Sequence, residues 1–268
     1  MFRWFEHHQV YQPSGVPQLD GAARRGGFED IYFQQKPKLN GWFFPASKGS
    51  ARANLAFLIC HGNGGNISDR LDLYDLLLTA GVNVFAFDYR GYGRSEGRPS
   101  ERGTYDDAGS AYDWLRARGF AERNIIALGE SLGGGIASEL ALRKTVGGLV
   151  LQSSFTSIPD LGAELFPWLP VRLVGTIQYD TRNKLAKIKV PVLILHSRND
   201  TIIPFHHGEK NFAAASEPKI FWELSGDHND SLAAERDQYS KGLEKFFALL
   251  PIGNGLELDF DRLKPIKN

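Results

Sequence analysis

The chain has 268 residues, 42% of them apolar and 12% aromatic, enough to bury the core of one large domain. Thirty-one basic residues balance 31 acidic ones, so no global field draws nucleic acid or an anionic membrane, and nucleic-acid partners are excluded. The single cysteine, Cys60, rules out an internal disulfide and a cysteine-based metal site, and no apolar run is long enough for an integral membrane span.

The first eight residues are aromatic but broken by charge, with no signal-peptide core, which gives a cytoplasmic expectation. They are expected to pack onto the domain, with peripheral membrane contact as the other use of such aromatics. Residues 1–27 read as an N-terminal extension, loop-like around Pro13, Gly15 and Pro17. Two short runs, 28–33 and 41–45, suit an opening antiparallel pair. Residues 54–60 form a continuous apolar run of the kind buried on both faces of a parallel sheet, and lead into His61-Gly62-Asn63-Gly64-Gly65-Asn66.

Helical spacing over 67–80 ends at Gly81, a C-terminal cap, and 82–87 is the next buried strand. A glycine-punctuated loop, 88–95, precedes an amphipathic helix over 105–118. Residues 125–130 then form a strand that runs through Gly129-Glu130-Ser131-Leu132-Gly133 into a helix-forming segment. Further strands are expected at 148–152, 191–196 and 220–224. Strands alternating with helices predict a mostly parallel eight-stranded sheet with helices on both faces, over residues 28–250. The alternation is interrupted at about 154–189, an irregular apolar stretch that suits a short helical cap, and 251–268 reads as a polar tail.

A serine in a Gly-x-Ser-x-Gly turn needs a base, and the base needs an acid to hold it. In an open parallel sheet such groups gather beyond the carboxyl ends of the strands. Asp200 lies four residues past the strand at 191–196, and His228 four residues past the strand at 220–224, so Ser131, Asp200 and His228 form the expected triad in the order this architecture requires. The oxyanion is assigned to the backbone N–H groups of Leu132 and Asn63. Phe155, Trp168 and Ile203 are candidate substrate contacts. His61 is expected to shape its loop, His206 and His207 to open a surface helix, Asp88 to bond turn N–H groups with Arg90 as a brace, and Cys60 to be core.

These motifs, in order and at suitable spacing, resemble the α/β-hydrolase superfamily over roughly residues 28–250. The His61-Gly62-Asn63 loop, the Arg98-Pro99-Ser100-Glu101 stretch and the short insertion are most similar to the branch that contains protein depalmitoylases. Those carry a cysteine-rich, lipidated N-terminus, whereas the first 27 residues here contain no cysteine. Haloalkane dehalogenases share the loop but place an aspartate at the position of Ser131. The resemblance implies a serine hydrolase acting on small to medium acyl esters or thioesters through an acyl-enzyme, with no metal or organic cofactor. Peptide hydrolysis on the same fold and a non-catalytic ligand-binding protein are the alternatives.

Overall fold

In a computed structural model, residues 2–16, 27–34 and 36–250 are described; the expected tail and the later part of the N-terminal extension lie outside them. The strands are β1 (Gln12–Pro13), β2 (Glu29–Phe33), β3 (Leu39–Phe44), β4 (Ala56–Cys60), β5 (Gly64–Gly65), β6 (Asn83–Phe87), β7 (Ile125–Glu130), β8 (Gly148–Gln152), β9 (Val192–Ser197) and β10 (Lys219–Leu224). The helices are α1 (Phe2–Val10), α2 (Leu71–Thr79), α3 (Glu101–Ala117), α4 (Leu132–Arg143), α5 (Ile158–Leu165), α6 (Val171–Val174), α7 (Thr181–Leu185), α8 (His206–Ala214), α9 (Ser231–Ala234) and α10 (Arg236–Phe247).

Eight strands form one sheet in the order β10-β9-β8-β7-β4-β6-β3-β2. All pairings are parallel except β2 with β3 and β3 with β6. The central strands β4, β6, β7, β8 and β9 are apolar along nearly their whole length because both faces are covered. Leu58, Phe85, Ala127, Leu149 and Ile194 point to one core with α3 and α4. Phe57, Val84, Ile126, Val150 and Leu193 point to the other, under α2 and α10. The pleat sorts each strand's residues between the two cores.

From β4 the chain moves outward to β6 on one side and returns to β7 on the other. That reversal opens a crevice at the carboxyl ends of β4 and β7, where such sheets bind ligands. Cys60 pairs in register with Gly129, and Glu130 with Gln152, so the loops carrying Asn63 and Ser131 leave the sheet side by side.

The insertion is built of the short helices α5, α6 and α7, and helix α1 packs beside it. Glu6 of α1 is buried and accepts hydrogen bonds from Thr176 N at 2.7 Å, Thr176 Oγ1 at 2.7 Å and Ile177 N at 3.0 Å. β1 then pairs parallel with β5, an element not expected from the sequence. Helix α3 starts at Glu101 rather than at Tyr105, because Ser100 Oγ accepts from Gly103 N and caps it.

Candidate active site

Ser131 stands between β7 and α4 with φ +52° and ψ −115°, a strained conformation that lifts its side chain off the sheet. The turn closes only because its flanking residues lack side chains. A Cβ on Gly133 would sit 1.8 Å from the Cys60 carbonyl oxygen, and one on Gly129 would sit 2.3 Å from that of Gly133. Ser131 N donates to Gln152 O at 2.9 Å, and Ser131 O accepts from Ser154 Oγ at 3.0 Å. Leu132 is the first residue of α4, so its N–H has no partner inside the helix and lies at the positive end of the dipole.

Asp200 and His228 meet across the loops after β9 and β10. His228 Nδ1 lies 2.8 Å from Asp200 Oδ2, while Asp200 Oδ1 accepts from Ile202 N at 3.0 Å and Ile203 N at 2.7 Å. The carboxylate is thus fixed by its own loop and offers its second oxygen to the imidazole. Asp227 is exposed yet bonded: its Oδ1 accepts from Thr201 N at 2.9 Å, Thr201 Oγ1 at 2.7 Å and His228 N at 2.7 Å, which ties the two loops together. Ser197 Oγ donates to Gly226 O and closes the same junction. His196 is buried beneath Asp200, with Nε2 2.9 Å from Ile203 O, and burial pushes its pKa below the ordinary value.

The loop after β4 is held from several sides. His61 is buried, with Nδ1 2.8 Å from Gly62 O. Tyr89 donates its hydroxyl to His61 O at 2.8 Å, and Tyr92 donates to Asn63 O at 2.9 Å. Gln12 N of β1 also donates to Asn63 O, at 3.0 Å. Burial is the main cause that lowers His61 to a pKa of about 3, and burial likewise raises Asp88 to about 7. Asp88 Oδ1 accepts from Ile67 N at 2.9 Å and lies 3.5 Å from His61 Nε2. The expected Arg90 brace lies elsewhere, since Arg90 pairs with Asp107 at 2.7 Å. Arg70, which nothing in the sequence singles out, pairs with Glu130 at 3.2 Å just beneath Gly62.

Two cavities meet at Ser131. One, of about 300 Å³, is mostly apolar and is lined by Ser131, Leu132, Asn63, Phe155 and Ile203, with residues of α1 and α5 opposite. The other, of about 480 Å³, is more polar and is lined by Ser131, Gly62, Asn63, Arg70 and His228. Trp168 does not line the apolar cavity; it is 74% exposed and meets Phe166 edge-on, so the expected substrate contact stands at the surface. Cys60 is core, and burial raises its thiol pKa.

Glu164, His206 and His207 bring three ligand-type side chains together. His207, expected at the surface, is buried at the start of α8, and its Nδ1 accepts from Thr156 N–H at 3.1 Å. The same Nδ1 lies 2.9 Å from Thr156 Oγ1, and Nε2 lies 3.4 Å from Glu164 Oε2.

A family model described as the alpha/beta hydrolase fold matches residues 56–175. The protein Rv2307c of Mycobacterium tuberculosis is 38% identical over 235 residues, covering 86% of this chain and 83% of its own length. The chain belongs to the α/β-hydrolase family. Among other members, a lysophosphatidylserine lipase of Danio rerio, ABHD12, is 35% identical over 64% of this chain and 50% of its own. The esterase Pf2001 of Pyrococcus furiosus shares the hydrolase fold with a TM-score of 0.73 at 20% identity, over 90% of this chain and 99% of its own. Among the described residues no helix is long and apolar enough to cross a membrane.

Proposed function

We propose that this hydrolase cleaves carboxylic esters or thioesters of small to medium acyl groups through a Ser131-His228-Asp200 triad. The observation that carries the reading is the 2.8 Å contact between His228 and Asp200, with His228 and Ser131 lining the same cavity. Esterase and lipase names among the similar proteins support ester chemistry. Asp200 accepts the Nδ1–H of His228 and so keeps the Nε2 lone pair available to the serine proton. Ser131 Oγ attacks the acyl carbon, and the N–H groups of Leu132 and Asn63 receive the charge that develops on the carbonyl oxygen. His228 passes the proton to the departing alkoxide or thiolate. Water, activated by the same imidazole, then releases the acid from the acyl-enzyme.

The two cavities suit a division of the substrate, the acyl chain in the apolar one and the leaving group and water in the polar one. The His228–Asp200 contact beside a strained serine turn supports turnover over the binding-only alternative. Purified protein is expected to hydrolyse p-nitrophenyl esters and to react with a fluorophosphonate probe. Ser131→Ala is expected to lower kcat/KM by about 10⁴-fold or more and to abolish labelling. Wild-type activity retained in that variant would refute the assignment.

A further inference from the structure

The apolar cavity is completed by a segment that no feature of the family match includes, since the match spans residues 56–175 and α1 ends at Val10. Helix α1 contributes Phe2, Phe5, Glu6, Gln9 and Val10 to the cavity lining. The helix is fixed in place rather than lying loosely over the opening. Glu6 takes up the backbone N–H groups of Thr176 and Ile177, His7 Nε2 lies 3.0 Å from Pro99 O, and Tyr11 shares a buried hydroxyl contact of 3.0 Å with Tyr179. Phe5 is half-buried, and its ring meets Phe166 edge-on at 5.6 Å, joining α1 to the segment that follows α5.

We propose that Phe5 is a specificity-determining residue of this hydrolase: seated on Phe166, it limits the length of acyl chain that the cavity admits. The proposal rests on the reading of Ser131 as the nucleophile for its kinetic consequences, but not for its binding ones. A chain that fits gains roughly fourfold in binding for each methylene it buries. A chain that is too long must displace packed aromatic rings, and the gain reverses. Removing the Phe5 ring makes room for further methylenes, and a larger ring takes room away.

Two measurements on the full chain test this. Chain-length profiles of kcat/KM are taken with p-nitrophenyl acetate, butyrate, octanoate and dodecanoate for wild type, Phe5→Ala and Phe5→Trp. Phe5→Ala is expected to raise the dodecanoate-to-butyrate ratio by about tenfold or more, and Phe5→Trp to lower it. A merely structural role cannot move the two variants in opposite directions. Trp4→Ala removes a 64% exposed ring from the same helix without touching the cavity, and is expected to keep the wild-type profile. In parallel, octanoate and dodecanoate are titrated calorimetrically into Ser131→Ala with and without each Phe5 change. This arm needs no turnover, so a failed triad assignment leaves it intact. A dodecanoate-to-octanoate affinity ratio that neither Phe5→Ala nor Phe5→Trp alters would overturn the proposal whether or not the wild type hydrolyses esters.

Discussion

Asp88 and His61, buried 3.5 Å apart under the loop that carries Asn63, are displaced in opposite directions by their burial. Unfolded, His61 titrates at its ordinary 6.5 and Asp88 at 3.8; folded, the values are about 3 and about 7. Taken alone, His61 supplies stability that is lost as pH falls from 6.5 toward 3. Asp88 alone supplies stability that is lost as pH rises from 3.8 toward 7. Between about pH 4 and 6.5 each state of the pair holds one proton, on His61 when unfolded and on Asp88 when folded, so the pair contributes no slope. Asp88→Asn removes one half of this balance. Relative to wild type, its stability is expected to fall by about 1.4 kcal/mol per pH unit on going from pH 6 to 5, read from urea unfolding. A variant whose pH slope equals the wild type's would contradict this account. None of it was legible in the sequence, because it depends on how deeply two side chains are buried. The placement of Ser131, Asp200 and His228 beyond the carboxyl ends of their strands, and the meeting of the last two, were legible because each follows a strand of obvious type. Trp168 was misplaced for a related reason: an apolar letter in an irregular insertion does not say which face it will take.

At the scale of elements, the turn between β7 and α4 is the feature most completely written in the sequence. Its two glycines are required by contacts with backbone, which cannot move aside as a side chain can. Gly133→Ala is therefore expected to cost about 3 kcal/mol or more and to lower activity further than stability, since any relief of the clash moves Ser131. Thermal unfolding together with ester kinetics checks both parts; a variant with wild-type melting and wild-type kcat would show that the approach is softer than described. The strands of the main sheet were readable from continuous apolar runs. Helix α1 was not, because it is short and has no acidic residue in its first turn. β5 was missed because Gly64-Gly65 has a composition that strands avoid; its pairing comes entirely from β1 beside it. The start of α3 was within reach, since Pro99-Ser100-Glu101 has the form of a helix cap.

For the molecule as a whole, the order of strands and helices predicted the layered sheet, while the wall built onto it by α1 had to be seen in three dimensions. The bonds from Glu6 to Thr176 and Ile177 join positions 170 and 171 residues apart. Contacts of such separation close a very large loop of chain, so they gain little until the sheet between them has already formed. Helix α1 is accordingly expected to dock late in the folding reaction, onto a hydrolase core that forms before it. Glu6→Gln can keep Oε1 for the two backbone N–H groups and turn its amide toward the Thr176 hydroxyl, so Glu6→Ala, which leaves both N–H groups without their acceptor, is the variant expected to destabilise by about 2 kcal/mol. That loss should appear as an unfolding rate raised roughly 30-fold with the refolding rate nearly unchanged. Slowed refolding in stopped-flow experiments would instead place the helix in the nucleus. On a ribosome the α1 segment would then emerge long before the cap it docks on, and wait for a partner made 170 residues later.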